Sequence, residues 1–256
     1  MQLKSYLKYR KNRVDAHGIH SPFVFDLYNE VILKAKFIDD LSIKQLRKKM
    51  ESDHRSISVE DFGAGSKKNS DTIRKVSGIA KSASVNKKFG RLIARLIDHY
   101  NLKSAIELGT SLGIGTSYIA SRPSMKKVVT IEGSPEIAKF ANQNFQLLKL
   151  KNVDLLIGKF EDQLKNATEQ FSTVDLVYID GNHQYQPTMD YFNFFIDHSD
   201  DNTFLIFDDI YWSEGMTKAW EEICASPKIN VSIDLFRMGI VCKRSKQAKQ
   251  HFILRY

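Results

Sequence analysis

The chain has 256 residues, of which 42% are hydrophobic and 27% are charged, so a packed core is expected and wholesale disorder is excluded. Its apolar runs fall far short of the roughly 20 residues that a membrane span needs, and its first residues have no apolar stretch like that of a signal peptide. The two cysteines are too few for a disulfide framework or a zinc cluster. We therefore expect a cytoplasmic protein without membrane insertion.

The formal net charge of +8 is concentrated in part at the two ends of the chain. This balance is compatible with a polyanionic partner such as nucleic acid, but we favour a solvated surface with basic tails. No motif that combines aromatic and basic residues, as in RNA-binding modules, is visible. The basic residues near the ends are Lys4, Lys8, Arg10, Lys11, Arg13, Lys243, Arg244, Lys246, Lys249 and Arg255.

Residues 1–85 have helical periodicity and lack glycine-rich strand turns. Ser21 followed by Pro22 is typical of a helix start, because serine caps helices and proline is favoured at the first helical position. We interpret residues 1–85 as a helical segment that serves as a lid, a substrate-binding region or the surface of a homodimer. Residues 86–256 are interpreted as the main domain. The helices predicted in the first segment are Gln2–Asn12, Phe23–Ile32 and Ser42–Ser52.

After residue 86 the pattern alternates between helices and strands, which is typical of a parallel sheet. Residues 231–243 differ, because they predict two strands joined by a short glycine-containing turn, an antiparallel hairpin. The predicted fold is an α/β, Rossmann-like doubly wound sheet, mostly parallel, with an antiparallel C-terminal hairpin strand. The predicted strands are 104–108, 127–131, 153–157, 174–179, 203–207 and 231–236, and the predicted helices are 87–100, 114–121, 135–149, 161–167, 184–198 and 214–225.

The segment from Ile106 to Ser117 reads from an apolar strand through a glycine-rich turn into a helix. Glu132 follows Gly109 by 23 positions, at the end of the next predicted strand. In doubly wound folds, glycines let the backbone approach an adenosine-containing cofactor, and an acidic side chain accepts hydrogen bonds from the ribose hydroxyls. The spacing Glu-x-Gly-x-x-x-Gly-x-Gly differs from the dinucleotide pattern Gly-x-Gly-x-x-Gly, and it indicates S-adenosylmethionine rather than NAD.

The pattern from Ala105 onwards resembles the class I S-adenosylmethionine-dependent methyltransferases. It is most similar to small-molecule O-methyltransferases of the catechol O-methyltransferase type, and the resemblance covers roughly residues 85–245. The segment from His17 to Phe23 is similar to uncharacterised methyltransferases of Bacteroidetes-type bacteria. That similarity implies no substrate.

The resemblance and the residues together suggest a cofactor site. Glu132 is expected to bind the ribose, and Glu107 to meet the cofactor's amino group directly or through water. Gly158 and Phe160 match the adenine pocket of the family, although an ordinary loop before a helix is the alternative. The other expected cofactor contacts are Gly109, Thr110, Ser111, Gly113 and Asp180.

Carboxylates follow two of the predicted strands: Asp180 after one, Asp208 and Asp209 after the next. Ligands bind at the carboxyl edge of such sheets, where these side chains are expected to meet. Three carboxylates would repel each other unless they are paired or bind a divalent ion such as Mg²⁺. The resemblance implies that Asp180, Asp208 and Asp209 are metal ligands, with Asp209 standing where the family has asparagine.

The same family has a lysine base three residues after the first of these aspartates, and this chain has His183 there. A histidine can act as a general base near neutral pH. The resemblance therefore implies Asp180, His183 and Asp208 as catalytic residues for methylation of an oxygen on a small-molecule acceptor. The alternative is that the aspartates cap a helix or loop, and that His183 only orients a carboxylate.

Two further pairs have open interpretations. His17 and His20 belong either to a lid that excludes water or to a packing and capping motif. Tyr211 and Trp212 either line a substrate wall or anchor the next helix. The rival functions are a methyltransferase acting on nucleic acid or protein, a cofactor-binding protein without catalysis, and a nicotinamide oxidoreductase, which the glycine spacing disfavours.

Overall fold

The computed structural model describes residues 2–59 and 72–256, and it has the α/β fold that the sequence predicts. Within these ranges the helices are α1 (Gln2–Asn12), α2 (Pro22–Asp26), α3 (Leu41–Glu51), α4 (Val76–Ser82), α5 (Lys87–Tyr100), α6 (Ile114–Ala120), α7 (Pro135–Leu147), α8 (Phe160–Thr168), α9 (Tyr185–Asp197) and α10 (Glu214–Ala225). The strands are β1 (Ser56–Val59), β2 (Thr72–Lys75), β3 (Ser104–Leu108), β4 (Lys127–Glu132), β5 (Val153–Ile157), β6 (Leu176–Ile179), β7 (Phe204–Asp208), β8 (Val231–Asp234), β9 (Met238–Cys242) and β10 (Gln250–Ile253).

The chain divides into two compact units, one made of Met1–Leu33 with Thr173–Tyr256 and the other of Lys34–Ser172. This division by contacts differs from the boundary at residue 85 that the sequence suggests. The role of residues 1–85 as a lid, substrate region or dimer surface stays a prediction. None of the helices in the described ranges is long and apolar enough to span a membrane.

The unit Lys34–Ser172 contains three parallel strands in the order β3-β4-β5. Helix α5 forms as predicted because its apolar residues recur on one face, and that face is buried. Asn86 caps the start of α5 by accepting a hydrogen bond from the Lys88 N–H at 2.9 Å, and Asn101 ends it in a left-handed conformation. The buried face consists of Phe89, Leu92, Ile93, Leu96 and Ile97.

The same unit also holds a feature that the helical interpretation of residues 1–85 missed. Strands β1 and β2 pair antiparallel, with Ser56 opposite Lys75. The alternation of polar and apolar residues in Ser56–Val59 was an available signal, but four residues are too few to separate a strand from a loop by periodicity alone.

The other unit contains five strands in the order β10-β8-β9-β7-β6. Strands β6 and β7 are parallel, and β9 runs antiparallel to both β7 and β8, so the predicted hairpin is confirmed. Gly239 was expected in the hairpin turn but lies within β9, where a Cβ atom would collide with the Trp220 ring. Strand β10, which pairs parallel with β8, was not predicted.

The N-terminal part of this unit begins with α1, which is anchored by Tyr9. The Tyr9 side chain is buried, and its hydroxyl donates to the Leu254 carbonyl at 2.6 Å. The predicted cap is present, because Ser21 Oγ accepts a hydrogen bond from the Val24 N–H at 3.4 Å. The continuous α-helix predicted for residues 23–32 is only partly correct, since α2 continues as a π-helix over Leu27–Ile32.

Candidate cofactor and reaction sites

The glycine-rich turn after β3 is fastened to the end of β4 by its backbone. The N–H groups of Gly109 and Thr110 both donate to the Ile131 carbonyl, at 3.1 and 3.2 Å. Gly109 has a φ of +102°, a conformation that favours glycine, and Ser111 follows with a φ of +49°. The turn is therefore a preformed loop at the carboxyl end of a parallel strand pair.

Gly113 ends this turn and precedes α6, with a φ of +76°. A Cβ atom at Gly113 would lie 2.5 Å from the Phe145 ring. The sequence suggests that contact with a ligand requires glycine at position 113. The approach of the Phe145 ring is by itself a sufficient reason for glycine there. A cofactor contact at Gly113 stays a prediction.

Glu132, at the end of β4, is hydrogen bonded to the glycine turn. Its Oε2 accepts from the Ser111 N–H at 2.8 Å, and its Oε1 accepts from the Ser134 N–H at 2.9 Å. An ionised carboxylate offers about four acceptor positions, so a carboxylate held in this way at a strand end is a group to which the hydroxyls of a ligand can donate. The structure thus brings together the two features that the sequence linked, the turn and the acidic strand end.

Glu107 is buried at the end of β3, with 1% of its surface exposed. Its Oε2 accepts from the hydroxyls of Thr116 at 2.5 Å and Thr130 at 2.6 Å. Its Oε1 is buried without a hydrogen-bond partner among the described residues. Burial raises the pKa of Glu107 to about 7, against the lowering effect of the two threonine bonds, and the charge of Glu132 adds to the rise.

Two serine hydroxyls, one in the turn and one after β4, are also buried and unsatisfied. Ser111 Oγ in the turn and Ser134 Oγ after β4 are buried without a hydrogen-bond partner among the described residues. Buried polar atoms are usually satisfied by protein, water or ligand. With Glu107 Oε1, these unsatisfied atoms fit a polar ligand such as the S-adenosylmethionine that the spacing indicates.

The loop after β5 reaches the same strand end through its backbone. The Gly158 N–H donates to the Glu132 carbonyl at 3.0 Å, and Gly158 has a φ of +142°. Phe160 begins α8 and is half-buried, and the acidic residues that follow it are exposed in the first turn. The structure places Gly158 beside Glu132, and the adenine contact of Phe160 stays a prediction.

In the other unit, the ends of β6 and β7 bring Asp180 and Asp208 together. The two strands are parallel, with Ile179 opposite Phe207. The Tyr178 hydroxyl lies 3.1 Å from Asp180 Oδ2 and 3.1 Å from Asp208 Oδ2. The expected meeting of the two carboxyls is therefore observed, with a buried tyrosine between them that the sequence argument did not single out.

Asp208 is the buried member of this pair, with 8% of its surface exposed. Burial, followed by the charges of Asp180 and Asp209, raises the pKa of Asp208 to about 8. The Asp209 N–H donates to Asp208 Oδ1 at 3.0 Å, which favours the charged form but does not cancel the burial.

His183 lies beside Asp180 and remains accessible. Its Nε2 is 3.7 Å from Asp180 Oδ1, and 23% of its side chain is exposed. The preceding residue, Asn182, has a φ of +49° and donates from Nδ2 to the Tyr191 hydroxyl at 3.3 Å, which holds the loop. The imidazole can thus exchange a proton with a bound group while a carboxylate stands next to it.

Asp209, the third carboxylate of the predicted metal site, is paired with an arginine. Arg237 donates from Nε and Nη2 to Asp209 Oδ1, at 3.2 and 2.9 Å. Within residues 2–59 and 72–256 no group of three or more histidine, cysteine or acidic side chains is arranged to hold a metal ion. An arginine on one carboxylate and a tyrosine hydroxyl between the other two do not fit the predicted ligand set of Asp180, Asp208 and Asp209.

Of the aromatic pair after β7, Tyr211 is an anchor. Its hydroxyl donates to Asp234 Oδ2 at 2.5 Å, and its ring stacks on Phe236 with centroids 5.4 Å apart. Trp212 is 54% exposed, and its ring centroid lies 6.5 Å from that of His183. Tyr211 thus ties the loop to β8, and Trp212 remains a candidate for a substrate wall.

His17 and His20 are both exposed in the described structure. Asp15 caps the short 3₁₀ turn that contains His17, because its Oδ1 accepts from the His17 N–H at 3.1 Å. Local capping therefore accounts for this part of the segment, and a lid role for the two imidazoles stays a prediction.

Residues 106–210, which run from β3 to the loop after β7, match a family model described as a methyltransferase domain. An uncharacterised protein of Acanthamoeba polyphaga mimivirus is 27% identical over 135 residues, which span 47% of this chain and 58% of that protein. The alignment thus covers little more than half of the relative. The methyltransferase match agrees with the glycine turn and with Glu132.

Solved structures confirm the fold. An S-adenosylhomocysteine-bound methyltransferase from Podospora anserina superposes with a TM-score of 0.62 at 13% identity, covering 88% of this chain and 99% of its own. An O-methyltransferase from Bacillus cereus, in complex with S-adenosylhomocysteine, superposes with a TM-score of 0.59 at 18% identity, covering 84% and 96%. At these identities the likeness concerns the fold alone.

Proposed function

We propose that this protein is an S-adenosylmethionine-dependent methyltransferase that transfers a methyl group to an oxygen of a small-molecule acceptor. The observation that carries the proposal is the carboxylate of Glu132, held by the backbone of the glycine turn through Ser111 at 2.8 Å. The match of residues 106–210 to a methyltransferase domain supports the reaction class. The superposed structure from Bacillus cereus is that of an O-methyltransferase, which supports oxygen as the acceptor atom.

In this proposal the cofactor is held mainly by residues after β3 and β4. Glu132, oriented by the N–H groups of Ser111 and Ser134, accepts hydrogen bonds from the ribose hydroxyls. Glu107 Oε1 and Ser111 Oγ, which have no protein partner in the described ranges, face a polar group of the methionine portion. S-adenosylmethionine, when bound, supplies the electrophilic methyl group.

The acceptor's hydroxyl loses its proton to His183. Bound S-adenosylmethionine would supply the methyl carbon to which this oxygen bonds, and it would leave as the sulfide, which keeps the electron pair of the broken carbon–sulfur bond. Asp180, 3.7 Å from His183, stabilises the imidazolium that results. Beyond this proton transfer, the protein mainly aligns donor and acceptor for in-line displacement. No step is assigned to a metal ion, because Arg237 engages the carboxylate that would complete the ligand set.

Calorimetric titration of S-adenosylhomocysteine tests the cofactor site. We expect binding to the wild-type protein, weakened about ten-fold or more in Glu132→Gln, which corresponds to roughly 1.4 kcal/mol. Glu136→Gln is the matched control, because Glu136 is an acidic residue four positions away that pairs with the exposed Lys139 on α7. We expect that variant to bind like the wild type.

The same titration can overturn the proposal. Failure of S-adenosylhomocysteine to bind the wild-type protein would contradict the methyltransferase assignment. Binding of NAD⁺ in its place would support the oxidoreductase alternative. If Glu132→Gln and Glu136→Gln bound S-adenosylhomocysteine equally well, the proposed cofactor site at the glycine turn would be wrong.

A further inference from the structure

The turn between β8 and β9 holds a non-glycine residue in the left-handed region. Phe236 has a φ of +71°, and its N–H donates to Asp234 Oδ1 at 2.7 Å. Such a conformation is unfavourable for a residue with a side chain, so the surroundings must favour it.

Aromatic side chains provide that support. The centroid of the Phe236 ring lies 5.0 Å from that of Tyr6, which it meets edge-on, and 5.4 Å from that of Tyr9. It also lies 5.4 Å from the centroid of Tyr211, on which it stacks. Aromatic pairs in such arrangements contribute favourably beyond the area that they bury, so three of them can offset the backbone strain. Because Tyr9 is tied to Leu254, helix α1 forms a fixed side of this cluster.

The turn carries Arg237 to the loop that follows β7. Its guanidinium donates twice to Asp209 Oδ1, and its carbonyl accepts from the Ile210 N–H at 3.4 Å. Asp209 itself has a φ of +49°, and its carbonyl accepts from the Trp212 N–H at 2.8 Å. The loop is thus attached to the turn through both a side chain and the backbone.

We propose that Arg237 is a positioning residue of the reaction site, and that helix α1 acts on the site through it. This role rests on the function proposed above. Tyr6 packs against Phe236 and stabilises the turn, the turn positions Arg237, and Arg237 fixes the loop that begins at Asp209. The orientation of Asp208 follows, because the Asp209 N–H donates to Asp208 Oδ1. The N-terminal helix thereby gains a role without touching a substrate.

A surface ion pair alone would not support this role, since exposed pairs contribute about 0–1 kcal/mol. Asp209 is less exposed than such pairs usually are, with 19% of its side chain accessible, against 48% for Arg237. The positive charge of Arg237 also lies within the electrostatic influence of Asp180 and Asp208. Removing the Arg237 guanidinium would release the loop, and it would also leave the negative charges of the carboxylates less compensated.

Amide hydrogen exchange of residues 208–212 tests the positioning without any acceptor. We expect Arg237→Gln and Tyr6→Ala to accelerate exchange at Ile210 and Trp212 by about ten-fold or more, which is a loss of roughly 1.4 kcal/mol in local opening. Tyr6→Phe keeps the ring and should behave like the wild type. Arg55→Gln removes another arginine–carboxylate pair and should leave this loop unchanged.

Activity with catechol as the probe acceptor gives the second readout. We expect Arg237→Gln and Tyr6→Ala to raise KM for catechol about five-fold or more, while the affinity for S-adenosylhomocysteine stays within two-fold of wild type. Tyr6→Phe, which keeps the ring, should have the same KM for catechol as the wild type. Unchanged loop exchange in Arg237→Gln, or an equal response of Tyr6→Ala and Tyr6→Phe, would overturn the inference. Failure of the wild type to bind S-adenosylhomocysteine would instead overturn the proposed function, and the exchange result would still decide the positioning.

Discussion

The two candidate regions are built in different ways. The glycine turn and Glu132, in the unit Lys34–Ser172, are joined by backbone N–H groups that donate to a carbonyl and to a carboxylate. The cluster of Asp180, Asp208 and Asp209, in the other unit, is organised by side chains, a tyrosine hydroxyl and a guanidinium. The geometry of a region joined by backbone groups is determined mainly by local conformation. The geometry of a region joined by side chains is determined by which residues distant in sequence pack against it.

Each region contains one buried acid, and the causes of its raised pKa differ. Glu107 is shifted mainly by burial, while two threonine hydroxyls partly compensate. Asp208 is shifted by burial and then by two neighbouring carboxylates. The first region therefore contains an acid whose pKa is set mainly by burial. The second contains carboxylates that repel one another, and Arg237 compensates the charge of Asp209.

The largest expected effect concerns the side-chain region. His183→Asn should lower the rate of methyl transfer about 10²–10⁴-fold, because it removes the group proposed to take the acceptor's proton. The affinity for S-adenosylhomocysteine should remain within two-fold, which calorimetry would check. His198→Asn is the control, since His198 is an exposed imidazole at the end of α9 that stacks on Phe194. Equal rates for His183→Asn and His198→Asn would remove His183 from the mechanism.

In the backbone region, Gly113→Ala should destabilise the protein by about 2–4 kcal/mol, combining a left-handed backbone with overpacking. The added methyl would lie 2.5 Å from the Phe145 ring. Chemical denaturation would measure the loss. Gly78→Ala in α4 is the matched control, because a Cβ there meets nothing within 4 Å, and it should stabilise by about 0.4–1 kcal/mol. A neutral result for Gly113→Ala would show that the turn relaxes.

The buried acid of the backbone region gives a pH-dependent effect. Because its pKa rises from 4.5 to about 7 on folding, the folded state binds the extra proton, and the stability due to Glu107 falls as pH rises through that window. Glu107→Gln should therefore gain about 2–3 kcal/mol relative to the wild type between pH 5 and pH 8. Denaturation curves at both values, with Glu136→Gln as control, check this. Parallel pH profiles for Glu107→Gln and the wild type would contradict it.

Most elements after residue 86 were predictable because their signals are local. The apolar residues of α5 recur at helical spacing, and the glycines of the turn lie directly between a strand and a helix, so periodicity and spacing revealed them. Strands β1, β2 and β10 were not predicted, because they are short and lie outside the region where helices and strands alternate in the sequence. Gly239 was misplaced because its reason is a contact with Trp220, nearly twenty positions away along the chain.

The candidate sites divide along the same line. The amino-acid order was enough to indicate the turn, its link to Glu132 and the approach of Asp180 to Asp208, since each follows from a strand end in a parallel pair. Only the folded chain revealed Tyr178 between the two carboxyls and Arg237 on Asp209. The hairpin turn places a guanidinium beside an acid 28 positions earlier in the chain, and no local pattern encodes that encounter. The pairing of Asp209 with Arg237 was not predicted, because long-range packing, rather than residue type, selects the partner of a carboxylate.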